Sequence, residues 1–231
     1  MRSSFWPLIS LALVLASGAL AQPPASPARL EVAYELTRNG STVAEITENL
    51  EHGNGSYQLT ETWKGRGIYA LLGKATRTSA GTLDADGPRP REFTDERTGR
   101  NTQQVWFDWN AKTITRRYKG PARTEALLPG TQDRLSFLFA LAYQSRKGQP
   151  ISMYIADGRG LSHHVYQHNG RERVITPAGA FDTRKLVRRN EGSGEVSEIW
   201  LAVERYLPVR IVVTEKDGTR YEHLITRLSS R

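Results

Sequence analysis

The sequence predicts a mainly β fold: a large, strongly curved antiparallel sheet or open barrel with one buried apolar helix. Three observations carry that expectation. Polar and apolar residues alternate with period two along most of the chain, as in Leu30, Val32, Tyr34 and Leu36. Six Asn-Gly or Asp-Gly dipeptides, at 39–40, 54–55, 86–87, 157–158, 169–170 and 217–218, punctuate those runs and supply the positive-φ pairs that tight hairpins need. One segment breaks the rhythm: after Pro129-Gly130, residues 135–143 are apolar except for Ser136. A helix built from them has no face for water and must be buried.

The 231 residues hold 32 Lys+Arg against 24 Asp+Glu, with 38% hydrophobics, 9% aromatics and no Cys. That composition argues for a packed domain and excludes disulfides, thiol nucleophiles and thiolate metal sites. Met1 and Arg2, the apolar run 5–15 and Ala19-Leu20-Ala21 read as a signal peptide over 1–21, cleaved after Ala21. The run is shorter than the roughly 20 residues that span a bilayer, and without Cys no lipid anchor can be attached, so a soluble periplasmic product is expected. Residues 22–29, with Pro23, Pro24 and Pro27, read as a tether, and 30–231 as a single antiparallel β domain. The net charge of +8 favours anionic surfaces. Export argues against nucleic acid and leaves anionic surfaces of the envelope as the partner. The densest basic clusters, Arg116-Arg117-Tyr118-Lys119 and Arg184-Lys185 with Arg188-Arg189, are expected on solvated faces.

In chain order, strands are expected over 30–36, 42–50, 57–63, 76–83, 91–97, 104–108, 113–118, 151–155, 162–168, 172–176, 181–188, 196–203, 209–215 and 221–227. The apolar run 68–72 between Gly67 and Gly73 fits a helical turn or a short strand, with a place on the rim of a cavity. The helix is expected near 131–146, with Thr131 as its cap and Asp133 favouring its N-terminus. It either plugs the core of a wide sheet or forms a lid over a hydrophobic cavity.

Little in the sequence points to chemistry, and no cofactor is expected. The glycines at 65, 67 and 73 miss the spacing of a phosphate loop, and Ala75 stands where a hydroxyl would hold magnesium. On one strand His163 and His164 face opposite sides, and His164 and His168 lie about 13 Å apart, so no metal site is expected. The carboxylates of Asp84-Ala85-Asp86-Gly87 lack the closing Glu of a calcium loop. Glu61, Glu92, Asp95 and Glu96 could supply an acid/base pair, as could those of any β protein. The aromatics are more informative: Phe137, Leu141 and Tyr143 on the helix, with Trp106 and Trp200 on strands, are the candidates for a cavity mouth. The leading expectation is a non-enzymatic periplasmic protein that binds a hydrophobic or amphipathic ligand, lipid included, within its curved sheet. The alternatives are a cell-envelope interaction module with a filled core and a hydrolase with a carboxylate pair.

Five segments follow one another across 128–228: Leu128-Pro129-Gly130-Thr131-Gln132-Asp133-Arg134-Leu135-Ser136, Thr176-Pro177-Ala178-Gly179-Ala180-Phe181-Asp182-Thr183, Ile199-Trp200-Leu201, Leu207-Pro208-Val209-Arg210-Ile211 and Lys216-Asp217-Gly218. In this order and spacing they resemble a bacterial family of exported proteins, domain of unknown function 3108. The closing succession of Trp-Leu, Leu-Pro-Val and Asp-Gly is also similar, more loosely, to the end of the periplasmic lipoprotein-carrier fold, an incompletely closed barrel around a helical lid. The resemblance implies architecture and compartment. It implies no activity and transfers no lipoprotein-binding residue.

Overall fold

A computed structural model describes residues 29–190 and 192–230. The signal peptide expected over 1–21 lies outside the described residues, as does the tether except for Arg29, which begins the first strand. The N-terminal arm runs through β1 (Arg29–Arg38), β2 (Ser41–Gly53), β3 (Ser56–Gly65), β4 (Lys74–Asp84), β5 (Gly87–Arg97), β6 (Gln103–Asp108), β7 (Thr113–Arg117) and β8 (Arg123–Ala126). The C-terminal arm follows as β9 (Gln132–Asp133), helix α1 (Ser136–Gln144), β10 (Ile151–Ala156), β11 (Leu161–Thr176), β12 (Gly179–Asn190), β13 (Glu195–Ala202), β14 (Pro208–Thr214) and β15 (Arg220–Ser230). All fifteen strands among the described residues join one sheet, ordered β8-β7-β6-β5-β4-β3-β2-β1-β15-β14-β13-β12-β11-β10-β9. Neighbours are antiparallel except β9 and β10, which are parallel. The first and last strands therefore meet at the centre, where Tyr34 faces Ile225.

The hairpin syntax of the sequence is realised at Asn39-Gly40 and Asn54-Gly55, whose φ angles of 49° and 83°, and 52° and 72°, match the twist of the flanking strands. At Asn169-Gly170 the expected joint is absent. Both residues lie inside β11, where the register against β12 shifts between His168 and Arg171, so the dipeptide makes a bulge and the strands expected at 162–168 and 172–176 are one. The short strands β8 and β9 carry no alternating apolar pattern and are not foreseen by the sequence. All four residues of β8 are exposed, and Arg123 and Glu125 charge this edge, a pattern that discourages strand addition.

Alternation puts Leu30, Val32, Tyr34 and Leu36 of β1 and Tyr57, Leu59 and Glu61 of β3 on the concave side. Two apolar clusters fill that side. One belongs mainly to the N-terminal arm, and the other gathers Ile151, Met153, Tyr166, Leu186 and Ile199 of the C-terminal arm. Helix α1 belongs to both: Phe139 enters the first, and Leu138, Ala140, Leu141 and Ala142 the second. The cap is Asp133, not Thr131, and the helix starts five residues later than the 131–146 window. The Asp133 carboxylate accepts the backbone N–H of Leu135 and of Ser136, both at 2.8 Å, and the Ser136 hydroxyl accepts the Asp133 N–H in return. The Thr131 hydroxyl instead donates to the Leu128 carbonyl at 2.6 Å.

Asp133 also accepts the Ser79 hydroxyl of β4 at 2.6 Å, and the Gln132 amide donates to the Pro88 carbonyl of β5 at 3.0 Å. The far edge of the sheet is thus hooked onto the inner side of β4 and β5 by side chains, without a strand ladder. Asp133→Ala removes the cap and the hook together and is expected to lower unfolding free energy by about 2–4 kcal/mol in urea denaturation. Thr131→Val, which spares both, should cost no more than about 1 kcal/mol.

Candidate ligand-binding groove

Register across the N-terminal arm sorts its concave side into successive rows. The row Leu30, Leu50, Leu59, Ser79, Phe93 and Val105 lies on the side of α1. Between helix and sheet remains a cavity of about 40 Å³, bordered by Tyr57, Leu59, Phe139 and Tyr143. That is room for about one water molecule. At this end α1 fills the concavity as a plug.

The next row, Val32, Glu48, Glu61, Arg77, Asp95 and Gln103, is polar and mostly buried. Glu61 accepts the Trp63 indole N–H at 2.5 Å and the Arg77 guanidinium at 2.9 Å. Asp95 accepts Arg77 at 3.3 Å and a bidentate pair from Arg97 at 2.9 and 2.8 Å. Burial works to raise the Asp95 carboxyl, and the hydrogen bonds and charges of Arg97 and Arg77 overcome it and hold it below its ordinary value. Glu48 has no such partner: one of its oxygens is buried without a hydrogen bond. Burial first, and the neighbouring Glu61 charge second, push its pKa up to about 8.

Beyond the ionic row the concavity opens into a groove of about 400 Å³ at the other end of β1 to β5. Leu36, Ala44 and Ala75 make its floor, Trp63 a wall, and Lys74, Arg97 and Arg100 its rim. The Trp63 ring is held edge-on to His223, with centroids 5.8 Å apart, and under the Arg77 guanidinium at 5.2 Å. The apolar run after Gly67 proves to be a 3-10 helix, Gly67–Leu72, on the lip of this groove. Two glycines let it fold there. A Cβ at Gly65 would lie 2.2 Å from the Tyr69 carbonyl oxygen, and Gly73 takes a φ of +79° against the Thr98 side chain. Tyr69 turns inward onto the core, whereas Ile68 and Leu71 are 77% and 89% exposed.

The residues expected at a cavity mouth do not come together. Leu141 is fully buried in the core of the C-terminal arm. Trp200 is buried too, its indole donating to Glu172 and its ring covered by Lys185 at 4.5 Å and Arg210 at 4.7 Å. Trp106 points to the outside of β6, one-third exposed beneath Arg117. Tyr143 borders the small plugged cavity and stacks on Tyr206 at 5.1 Å. Phe137 borders a separate polar cleft of about 500 Å³ in the C-terminal arm. There Arg134 pairs with Asp157 and Arg188 with Glu195, so Arg188, expected on a solvated face, is largely covered. Arg116 is covered likewise against Glu125. In the same cleft the Ser162 hydroxyl lies 2.9 Å from His164, whose other ring nitrogen faces the Tyr166 hydroxyl at 3.3 Å. Burial, then the Arg188 charge, lowers the His164 pKa to about 4. Of the carboxylates weighed for acid/base work, Glu61 and Asp95 are committed to arginines, and Glu92 and Glu96 are exposed on the opposite side of β5.

Sequence reasoning missed Lys74, Arg97, Arg100 and Glu48. Glu48 was findable, since it shares the inward phase of Ile46 and stands where an apolar residue is expected. Its raised pKa means that the folded chain holds a proton that the unfolded chain releases above pH ~4.5. Stability contributed by that proton is complete below about pH 4.5 and is lost as pH rises through about 8. His223, lowered to about 4 by burial and then by Arg77, has the opposite sign and loses stability as pH falls from 6.5 to about 4. The two windows overlap below pH 6.5, so pH 6.5–8 isolates Glu48. Denaturation midpoints of the wild-type protein should fall across that range, and those of Glu48→Gln should stay flat.

Comparison with known proteins agrees with this architecture. A crystal structure of a beta-barrel-like protein of domain of unknown function DUF1849 from Brucella abortus superposes with a TM-score of 0.61 at 10% identity, covering 89% of this chain and 99% of that one. The likeness shows the fold. Two others are too distant to carry an argument: a protein assigned as exported, with a YmcC-like fold, from Bacteroides fragilis (TM-score 0.40, 9% identity, 90% and 98% covered), and a domain assigned to outer membrane lipoprotein sorting from Vibrio parahaemolyticus (0.27, 11%, 88% and 85%). No curated protein matches the sequence. The family model described as a protein of unknown function, DUF3108, matches residues 29–225, extending the resemblance of 128–228 across the N-terminal arm, and the chain belongs to that family.

Proposed function

We propose that the protein is a non-enzymatic periplasmic binder of an amphipathic anion such as a fatty acid, held in the groove at the open end of the N-terminal arm. The observation that carries this reading is the combination within one groove of an apolar floor and a cationic rim. Its volume of about 400 Å³ falls in the range of small-molecule sites. Leu36, Ala44 and Ala75 suit a hydrocarbon chain, and Lys74 and Arg100, neither of them ion-paired among the described residues, suit a carboxylate or phosphate. The polar cleft beside Phe137 offers less, because its arginines already hold Asp157 and Glu195. Among the described residues the imidazole of its Ser162 and His164 pair is backed by the Tyr166 hydroxyl and not by a carboxylate, and a base of pKa about 4 is weakly matched to neutral pH. The periplasmic part of the proposal rests on the leader-like sequence of residues 1–21.

Uptake of a fluorescent fatty acid by the delipidated mature chain tests the reading. Binding is expected at or below about 10 μM, and its absence there overturns the proposal. Ala75→Trp fills the groove and should weaken uptake at least about tenfold while leaving the melting temperature in place. Arg100→Ala should weaken binding of the fatty acid and spare that of an uncharged monoacylglycerol.

A further inference from the structure

We propose that the lip of the groove docks on an anionic phospholipid surface, with Ile68 and Leu71 entering the headgroup region and Lys64 and Lys74 contacting phosphates. In a 3-10 helix side chains three apart eclipse one another, so Ile68 and Leu71 project from the same side of Gly67–Leu72. They are 77% and 89% exposed, and Leu71 is the most exposed large hydrophobic residue among those described. The turn that carries them is built to hold its shape. The Arg66 N–H donates to the Val43 carbonyl at 2.9 Å, the Tyr69 N–H to the Arg66 carbonyl at 3.0 Å, and the Arg66 side chain pairs with Glu45. Tyr69 anchors the turn in the core. The exposed pair is therefore displayed by a fixed element.

Charge identifies the partner. Lys64 and Lys74 flank the turn and face each other directly across β3 and β4, a like-charge pairing that costs stability in isolation. Both are exposed, and neither forms an ion pair with a carboxylate among the described residues. Glu45, which faces Lys64 across β2 and β3, is held by Arg66, so Lys64, Arg66 and Lys74 outnumber it at the lip. Two aliphatic side chains within this cationic surround fit the boundary of an anionic bilayer, where hydrocarbon lies beneath a layer of phosphates. The groove opens beside this lip through Gly65, Tyr69 and Lys74. An amphipathic molecule leaving the bilayer would thus meet the rim first. The inference rests on the groove reading for what the docking serves, and on the lip alone for its chemistry.

Vesicle flotation decides it, using phosphatidylcholine vesicles with and without phosphatidylglycerol. The wild-type chain should float with the anionic vesicles and not with phosphatidylcholine alone, and raised salt should release it. Ile68→Ser with Leu71→Ser should lower the partition coefficient at least about tenfold, and Lys64→Gln about fivefold. Both changes are at exposed positions, and an unaltered melting curve confirms an intact fold. Equal flotation on neutral vesicles, no flotation on either, or a serine variant that floats like wild type would each overturn the proposal. The serine variant should keep full uptake of the fluorescent fatty acid in vesicle-free solution. A chain that floats but takes up no fatty acid retains the docking lip and loses the groove reading.

Discussion

A helix with no polar face persists only where two surfaces close on it, and here one buried carboxylate brings those surfaces together. Asp133 caps α1 and accepts a hydrogen bond from Ser79 on β4, so helix placement and curvature of the sheet are set at the same point. A sheet of fifteen strands encloses more space than inward side chains can fill. With Phe139 in one cluster and Leu141 in the other, α1 supplies the missing volume and joins the cores of both arms. Burial opposes ionisation of Asp133, and its hydrogen bonds to serine hydroxyls and backbone N–H groups work against that effect.

The concave side then divides by register. Because cross-strand partners sit side by side, a polar residue on one strand aligns with those of its neighbours, and Glu48, Glu61, Arg77 and Asp95 become a continuous row. Two carboxylates, Glu61 and Asp95, share the two guanidinium groups of Arg77 and Arg97, and the third carboxyl of the row, Glu48, stays neutral without an arginine of its own. The row keeps the plugged end separate from the open one. It also engages Arg97 internally, which leaves Lys74 and Arg100 to set the sign of the groove rim.

Much of the fold was legible because it depends on local rules. Alternation marked the long strands, and Asn-Gly pairs with left-handed φ marked true turns at 39–40 and 54–55. The same pair at 169–170 misled: only Gly170 takes a positive φ there, as a bulge requires, and the partner strand rather than the dipeptide decides between bulge and turn. The apolar run 135–143 announced a buried helix, but its boundary depended on whether Thr131 or Asp133 would meet the first free N–H groups, which is settled by contact with β4. The site was less legible. Aromatic character alone cannot say whether Trp200 lines a cavity or packs beneath Lys185 and Arg210. The groove residues lie on several strands and meet only through register, so no spacing in the sequence reveals them.

The seam between β1 and β15 bears on how the chain reaches its folded state. Val32 faces Leu228 across the centre of the sheet, so the pairing that unites the arms joins the two ends of the domain. Closing so long a loop is slow, and sheets dominated by such pairings are among the slower folds to form. Until β15 is available, β1 lacks one of its two neighbours and the N-terminal arm presents an open apolar flank. Under the export proposed above, the chain would cross the membrane as an extended thread and this delay would be useful: the topology itself postpones compaction until the last strand has emerged, while making the nascent chain dependent on protection from aggregation along the way.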